Sequence, residues 1–98
     1  MTATENYLQQ IGYNGDIDDL DGILDFINEQ KHIFIETRTE SSMTSLGPRP
    51  LHQVYARVYH IPFGRKDFIT ETPPCAALSD ALRLSVLYAA RYLANKQK

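Results

Sequence analysis

Scarcity narrows this sequence more than abundance does. Its 98 residues hold one cysteine, Cys75, and no tryptophan. A lone cysteine excludes an internal disulfide and supplies no zinc site of the usual Cys/His spacing. No apolar run nears the roughly 18 residues needed to cross a bilayer, and residues 1–5 lack the basic start and apolar core of a secretory leader. A cytoplasmic chain with no membrane partner is therefore expected. Lysine and arginine are absent from residues 1–30, which carry seven acids, whereas residues 31–98 carry ten basic and five acidic groups. The net charge is only −2, so this split describes an acidic helix face on a mildly basic domain rather than a nucleic-acid binder as a whole. Neither a Gly-rich phosphate loop nor a Gly-x-Ser-x-Gly elbow occurs.

What is present is periodicity. The length suits one domain, 1–98, with a core that needs no metal or disulfide. The stretch 73–94 is the longest apolar-periodic run: Leu78, Ala81, Leu82, Ser85, Val86, Ala89 and Leu93 recur at helical spacing and form the core stripe. Thr72 reads as its N-cap, and Pro73 and Pro74 suit a first turn, so the helix is predicted to start near Pro74. Leu84, Leu87, Tyr88 and Tyr92 fall outside the stripe, with Arg91 beside them. Such a patch would otherwise stay exposed, so these five residues are the expected interface of a homodimer. The alternative is that the apolar residues Tyr7, Leu8 and Ile11 fold back over it within one chain.

Ahead of that helix, residues 5–11 suggest a short helical turn stopped by Gly12 and Asn14-Gly15. Asp16 reads as the N-cap of a helix running to Gln30, with Ile17, Leu20, Ile23, Leu24 and Ile27 inward and Asp18, Asp21, Asp25 and Glu29 outward. The period then changes to two over 32–39, 53–61 and 67–72, predicting three antiparallel strands. Residues 40–51, polar and then Pro-rich, read as a mobile loop, and 1–6 and 95–98 as frayed ends. The fold class is α+β: a helix, a three-stranded antiparallel sheet and a long C-terminal helix, with the helices on one face of the sheet.

Three constellations bear on chemistry. Asp16 to Gly22 looks like a calcium loop, but with Gly22 at the sixth position the first and twelfth are Ile17 and Asn28, so helix-dipole acids explain it better. Cys75, read at a helix N-terminus, invites a Cys–His nucleophile with His32, His52 or His60; no orienting acid or oxyanion loop accompanies it, and a packed thiol is the simpler reading. Phe34, Arg38, Tyr55, Arg57 and Tyr59 alternate onto the sheet's second face. That mixture suits either a protein interface or stacked bases, and the overall acidity favours the protein. No catalytic residue, metal or cofactor is expected.

The helix–strand–strand–strand–helix order resembles a double-stranded-RNA-binding domain. That family's basic cluster before the last helix is replaced here by Glu71-Thr72-Pro73-Pro74-Cys75, so duplex RNA is not expected. The opening Tyr7-Leu8-Gln9-Gln10-Ile11-Gly12-Tyr13 looks like the start of arylamine N-acetyltransferases, whose catalytic cysteine motif is missing. Tyr13-Asn14-Gly15-Asp16-Ile17, and Thr70-Glu71-Thr72-Pro73-Pro74 running into Ala76-Ala77-Leu78-Ser79-Asp80-Ala81-Leu82, resemble the phage-related ABA sandwich family. This resemblance implies an α+β fold, a viral or prophage origin and a host-cytoplasmic setting, and it offers no catalytic residues. A non-catalytic accessory protein that binds another protein, a host or defence component among the candidates, is the leading expectation; a nucleotide or single-stranded nucleic-acid module is the alternative.

Overall fold

The computed structural model describes residues 2–43 and 50–96. Thr2 caps helix α1 (Ala3–Gln10) by accepting the Glu5 amide at 3.2 Å. The N-terminal turn is thus a two-turn helix, and residues 3–6, expected to fray, belong to it. Leu8 and Ile11 are buried, because the 3.6-residue period brings both to one side, where they join the central core.

Helix α2 (Leu20–Lys31) begins later than expected, because two aspartates divide the capping work. Asp16 accepts the Asp18 amide in a preceding turn, and Asp19 is the true N-cap, accepting the Gly22 amide at 3.1 Å. A Cβ on Gly22 would lie 2.5 Å from the Asp19 carboxylate. The glycine therefore serves this cap rather than a neighbouring backbone. In the same turn the Tyr13 hydroxyl donates to the Asp16 carbonyl and its ring stacks on Phe26, filling the space that a side chain at Gly15 would need.

His32 ends α2 in the left-handed region, φ 58°, and turns the chain directly into strand β1 (Ile33–Met43). Strand β2 (Pro50–His60) pairs with it antiparallel from Ile33↔His60 to Met43↔Pro50. Much of the expected mobile loop is consequently strand at both ends; its centre, 44–49, lies outside the described residues. Strand β3 (Asp67–Glu71) follows a turn holding Gly64 at φ 81° and pairs with β2, giving the sheet order β1-β2-β3.

Helix α3 (Leu78–Lys96) does not start near Pro74. Thr72, read as its cap, is buried in the sheet: its amide donates to the Ala56 carbonyl at 2.8 Å, and its hydroxyl accepts the Ala56 amide at 3.0 Å. Pro73 and Pro74 then step out of line, and Cys75 returns to exchange two 2.9 Å backbone bonds with Val54. Two prolines cannot donate to a ladder, so the strand's continuation is a two-point clip, and the helix waits until it is closed.

The helices lie on one face of the sheet. Val54, Ala56, Val58 and His60 point to that face and are buried, and α3 presents Ala81, Ser85 and Ala89, whose small side chains let the helix approach closely. Of the expected stripe, Val86 and Leu93 are buried as well, but Leu82 is half-buried and Leu78, in the first turn beyond the edge of the core, is exposed; Ala90 and Ala94, outside the stripe, are buried instead. Ser85 meets its hydrogen-bonding need by donating to the Ala81 carbonyl at 2.8 Å. On β1 the helix layer ends early: Ile33 is buried and Ile35 half-buried, but Thr37 and Thr39 are exposed. No described helix is long and apolar enough to cross a membrane.

Candidate functional site

The second face of the sheet carries none of the described helices, and its side chains fall into cross-strand rows set by the register. The first row is aromatic. Phe34 lies opposite Tyr59, which lies opposite Phe68, its ring centroid 5.7 Å from that of Tyr59 in edge-to-face geometry. Phe34 is 43% and Phe68 58% exposed. Lys66 holds its ammonium 4.2 Å from the centre of the Tyr59 ring. Phe63, in the turn between β2 and β3, is 97% exposed at the same end of the sheet.

The second row is charged. Arg57 stands between Glu36 of β1 and Glu71 of β3, with its Nε 3.4 Å from the Glu71 carboxylate. A hydrogen bond with Tyr59 and, next, the Glu71 charge hold Arg57 above the ordinary arginine range. In the third row Arg38 faces Tyr55 and pairs along its own strand with Glu40 at 2.8 Å. The Tyr55 hydroxyl donates to Gln53 at 2.9 Å, and loss of solvent, followed by the Glu40 charge, raises its pKa. Glu36, Glu40 and Glu71 thus balance Arg38, Arg57 and Lys66 across the face.

Phe34, Arg38, Tyr55, Arg57 and Tyr59, singled out by alternation, all occupy this one face. Phe68 and Lys66 were not visible in the sequence. Counting by twos from Glu71 turns Phe68 inward, but a bulge opposite Val58 and Tyr59 inserts Ile69, sending Ile69 to the core and Phe68 outward.

The residues expected on a helical interface are placed differently from one another. Leu84, Leu87 and Tyr88 are half-buried and Arg91 is exposed, its guanidinium 5.2 Å from the centre of the Tyr88 ring. Tyr92 turns to the sheet, where its ring packs edge-on against the buried His60 and its hydroxyl lies 3.4 Å from His60 Nδ1. Lys96 donates to that same hydroxyl at 3.2 Å. Burial and, next, the Lys96 charge hold His60 below the ordinary histidine range. Helix α1 covers a neighbouring side of α3, with Leu8 and Ile11 in one cluster with Ala90, Leu93 and Ala94.

Cys75 is not at a helix N-terminus. It sits in the clip against Val54, its thiol donating to the Pro73 carbonyl at 3.3 Å, so the dipole argument for an activated thiolate lapses. His32 is a helix cap and His60 a packed residue. Among the described residues no group of three or more His, Cys, Asp or Glu side chains gathers as a metal site. Comparison with protein-family models, with curated proteins and with solved structures found no match.

Proposed function

We propose that this chain is a non-catalytic interaction protein, an accessory protein of the phage type, which binds another protein through the open face of its sheet. The carrying observation is that the face presents exposed aromatic rings while its cations are engaged at home. Arg38 and Arg57 are each within ion-pair distance of a glutamate of the same face, and Lys66 covers the Tyr59 ring on which a base would stack. A nucleic-acid surface needs cations free to meet phosphates and rings free to meet bases. A protein interface is better served by aromatic anchors inside a polar rim of matched charges. Phe34, Tyr59 and Phe68 form the anchor, and the Arg57 and Arg38 rows form the rim. In the phage setting suggested by the resemblance of residues 13–17 and 70–82, the partner is a host or defence component.

The test is affinity capture followed by measurement of binding to the purified partner. Phe34→Ala and Phe68→Ala, both at exposed positions, are expected to leave the melting temperature nearly unchanged and to weaken binding by about tenfold or more. Binding that survives both substitutions rejects the face as the interface. A salt-dependent complex with single-stranded oligonucleotides, lost in Tyr55→Ala, would replace this reading with the nucleic-acid one.

A further inference from the structure

We propose that β1 is a self-association edge: two copies pair their β1 strands antiparallel about Thr37, joining two sheets into one continuous sheet. This holds whatever the open face binds.

The backbone phase comes first. The Ile61 amide donates to the His32 carbonyl at 2.9 Å, and with the register Ile33↔His60 this assigns the even-numbered residues of β1 to hydrogen bonding with β2. Ile33, Ile35, Thr37 and Thr39 therefore turn their N–H and C=O groups to the outer edge of the sheet. The Ile33 carbonyl is already taken, by the Asn28 side-chain amide at 3.1 Å. Among the described residues nothing does the same for Ile35, Thr37 or Thr39.

Of the usual protections of an edge strand, β1 has charged side chains, Glu36, Arg38 and Glu40, but lacks the others. It contains no proline or lysine and pairs with β2 without a bulge over eleven residues, and its inward-facing Thr37 and Thr39 carry no charge. The opposite edge, β3, is five residues long, bulged, and followed by Pro73 and Pro74. Among the described strands, β1 offers the longer and more regular edge.

Charge selects a second copy as the occupant, and selects the register. Pairing about Thr37 sets Glu36 opposite the partner's Arg38, and Arg38 opposite the partner's Glu36. Both are non-hydrogen-bonded positions, where facing side chains come closest. Pairing about Glu36 or about Arg38 would instead oppose like charges. Pairing about Thr39 would set Arg38 against Glu40, which already form an ion pair within one chain. Glu36, by contrast, makes no ion pair among the described residues, and the Thr37 register sets beside it the partner's Arg38, which would then bridge Glu36 and the Glu40 of its own chain. On the helix side the same register brings the partner's Thr39 opposite Ile35, at the mouth of a groove of about 250 Å³ whose apolar wall, Ile27, Ile33, Ile35 and Leu82, is rimmed by Asp25 and Asn28. The two open faces then lie side by side as one surface of double width.

Sedimentation velocity on the full chain tests this with two charge reversals. Wild type is expected to sediment at twice the chain mass at micromolar concentration. Glu36→Arg and Arg38→Glu should each weaken self-association by about tenfold or more, through like-charge contacts. Mixed in equal amounts, the two variants should regain the dimer, because each supplies the charges the other lacks. Thr37→Pro gives a second route: it deletes an edge-facing N–H that the chain itself does not use, and should yield monomers with unchanged far-UV circular dichroism. Hydrogen exchange at the Thr37 amide should slow as wild-type concentration rises. A monomeric wild type overturns the proposal. So does a dimer indifferent to both reversals, a mixture that stays monomeric, or dissociation by Leu87→Glu, which would move the interface to α3.

Discussion

The Thr72 clip makes the sharpest claim about stability. A hydroxyl stands where a strand would normally offer a backbone carbonyl, and it is the acceptor for the amide of Ala56, a residue with no exposure, while Thr72 itself is 3% exposed. Thr72→Val keeps the volume and the β-branch but removes the acceptor, leaving a buried N–H unpaired at a cost of about 1–3 kcal/mol. For a domain of this size each kcal/mol shifts the midpoint by about 4–8 °C, so a central loss of about 2 kcal/mol lowers the melting temperature by about 8–16 °C. Thr72→Ser keeps the oxygen and loses one methyl group, about 1 kcal/mol. Thermal and urea unfolding of the three chains, with amide exchange at Ala56, reads the difference. If Val is as stable as Thr, or Ser is as damaging as Val, the hydroxyl is not the acceptor that holds the strand, and the account of where α3 begins fails with it.

Other outcomes follow from single residues. Because burial and Lys96 depress the His60 pKa despite the opposing charge of Asp67, the fold favours the neutral ring. The unfolded chain protonates first as pH falls through about 6.5, so the His60 contribution is full above that value and declines below it. Melting temperature should therefore fall more steeply between about pH 7.5 and 5.5 in wild type than in His60→Gln; parallel slopes would reject the assignment. His32→Val places a β-branched residue in the left-handed region and should cost about 1–2 kcal/mol in urea unfolding. No loss there would mean that the α2–β1 junction relaxes freely. Leu8→Ala should cost about 2–5 kcal/mol, because Leu8 is buried in the central core. A negligible effect would return α1 to the status of a loose end.

Wherever one face of an element was apolar, its period could be read directly. The α3 stripe, the inward residues of α2 and the alternation of β1 and β2 are each set by residues near in sequence, and burial acts on them through a fixed local geometry. That is why Phe34, Arg38, Tyr55, Arg57 and Tyr59 could be assigned to one surface before any fold was known. Local chemistry suggested a cap at Asp16, but nothing local showed that Asp19, three residues on, would take that role instead. Other features depended on partners far along the chain. Thr72-Pro73-Pro74 has the local form of a helix start, yet Ala56, 16 residues earlier, takes the hydroxyl and draws the segment into the sheet. The bulge that turns Phe68 outward exists because β3 must satisfy the β2 ladder and the core together. Tyr92 left the expected helical patch because His60, 32 residues away, offered a buried nitrogen. Periodicity is a property of neighbours and survives in the sequence alone; the pairing of a buried donor with its acceptor is a property of the folded chain, and only the tertiary structure decides it.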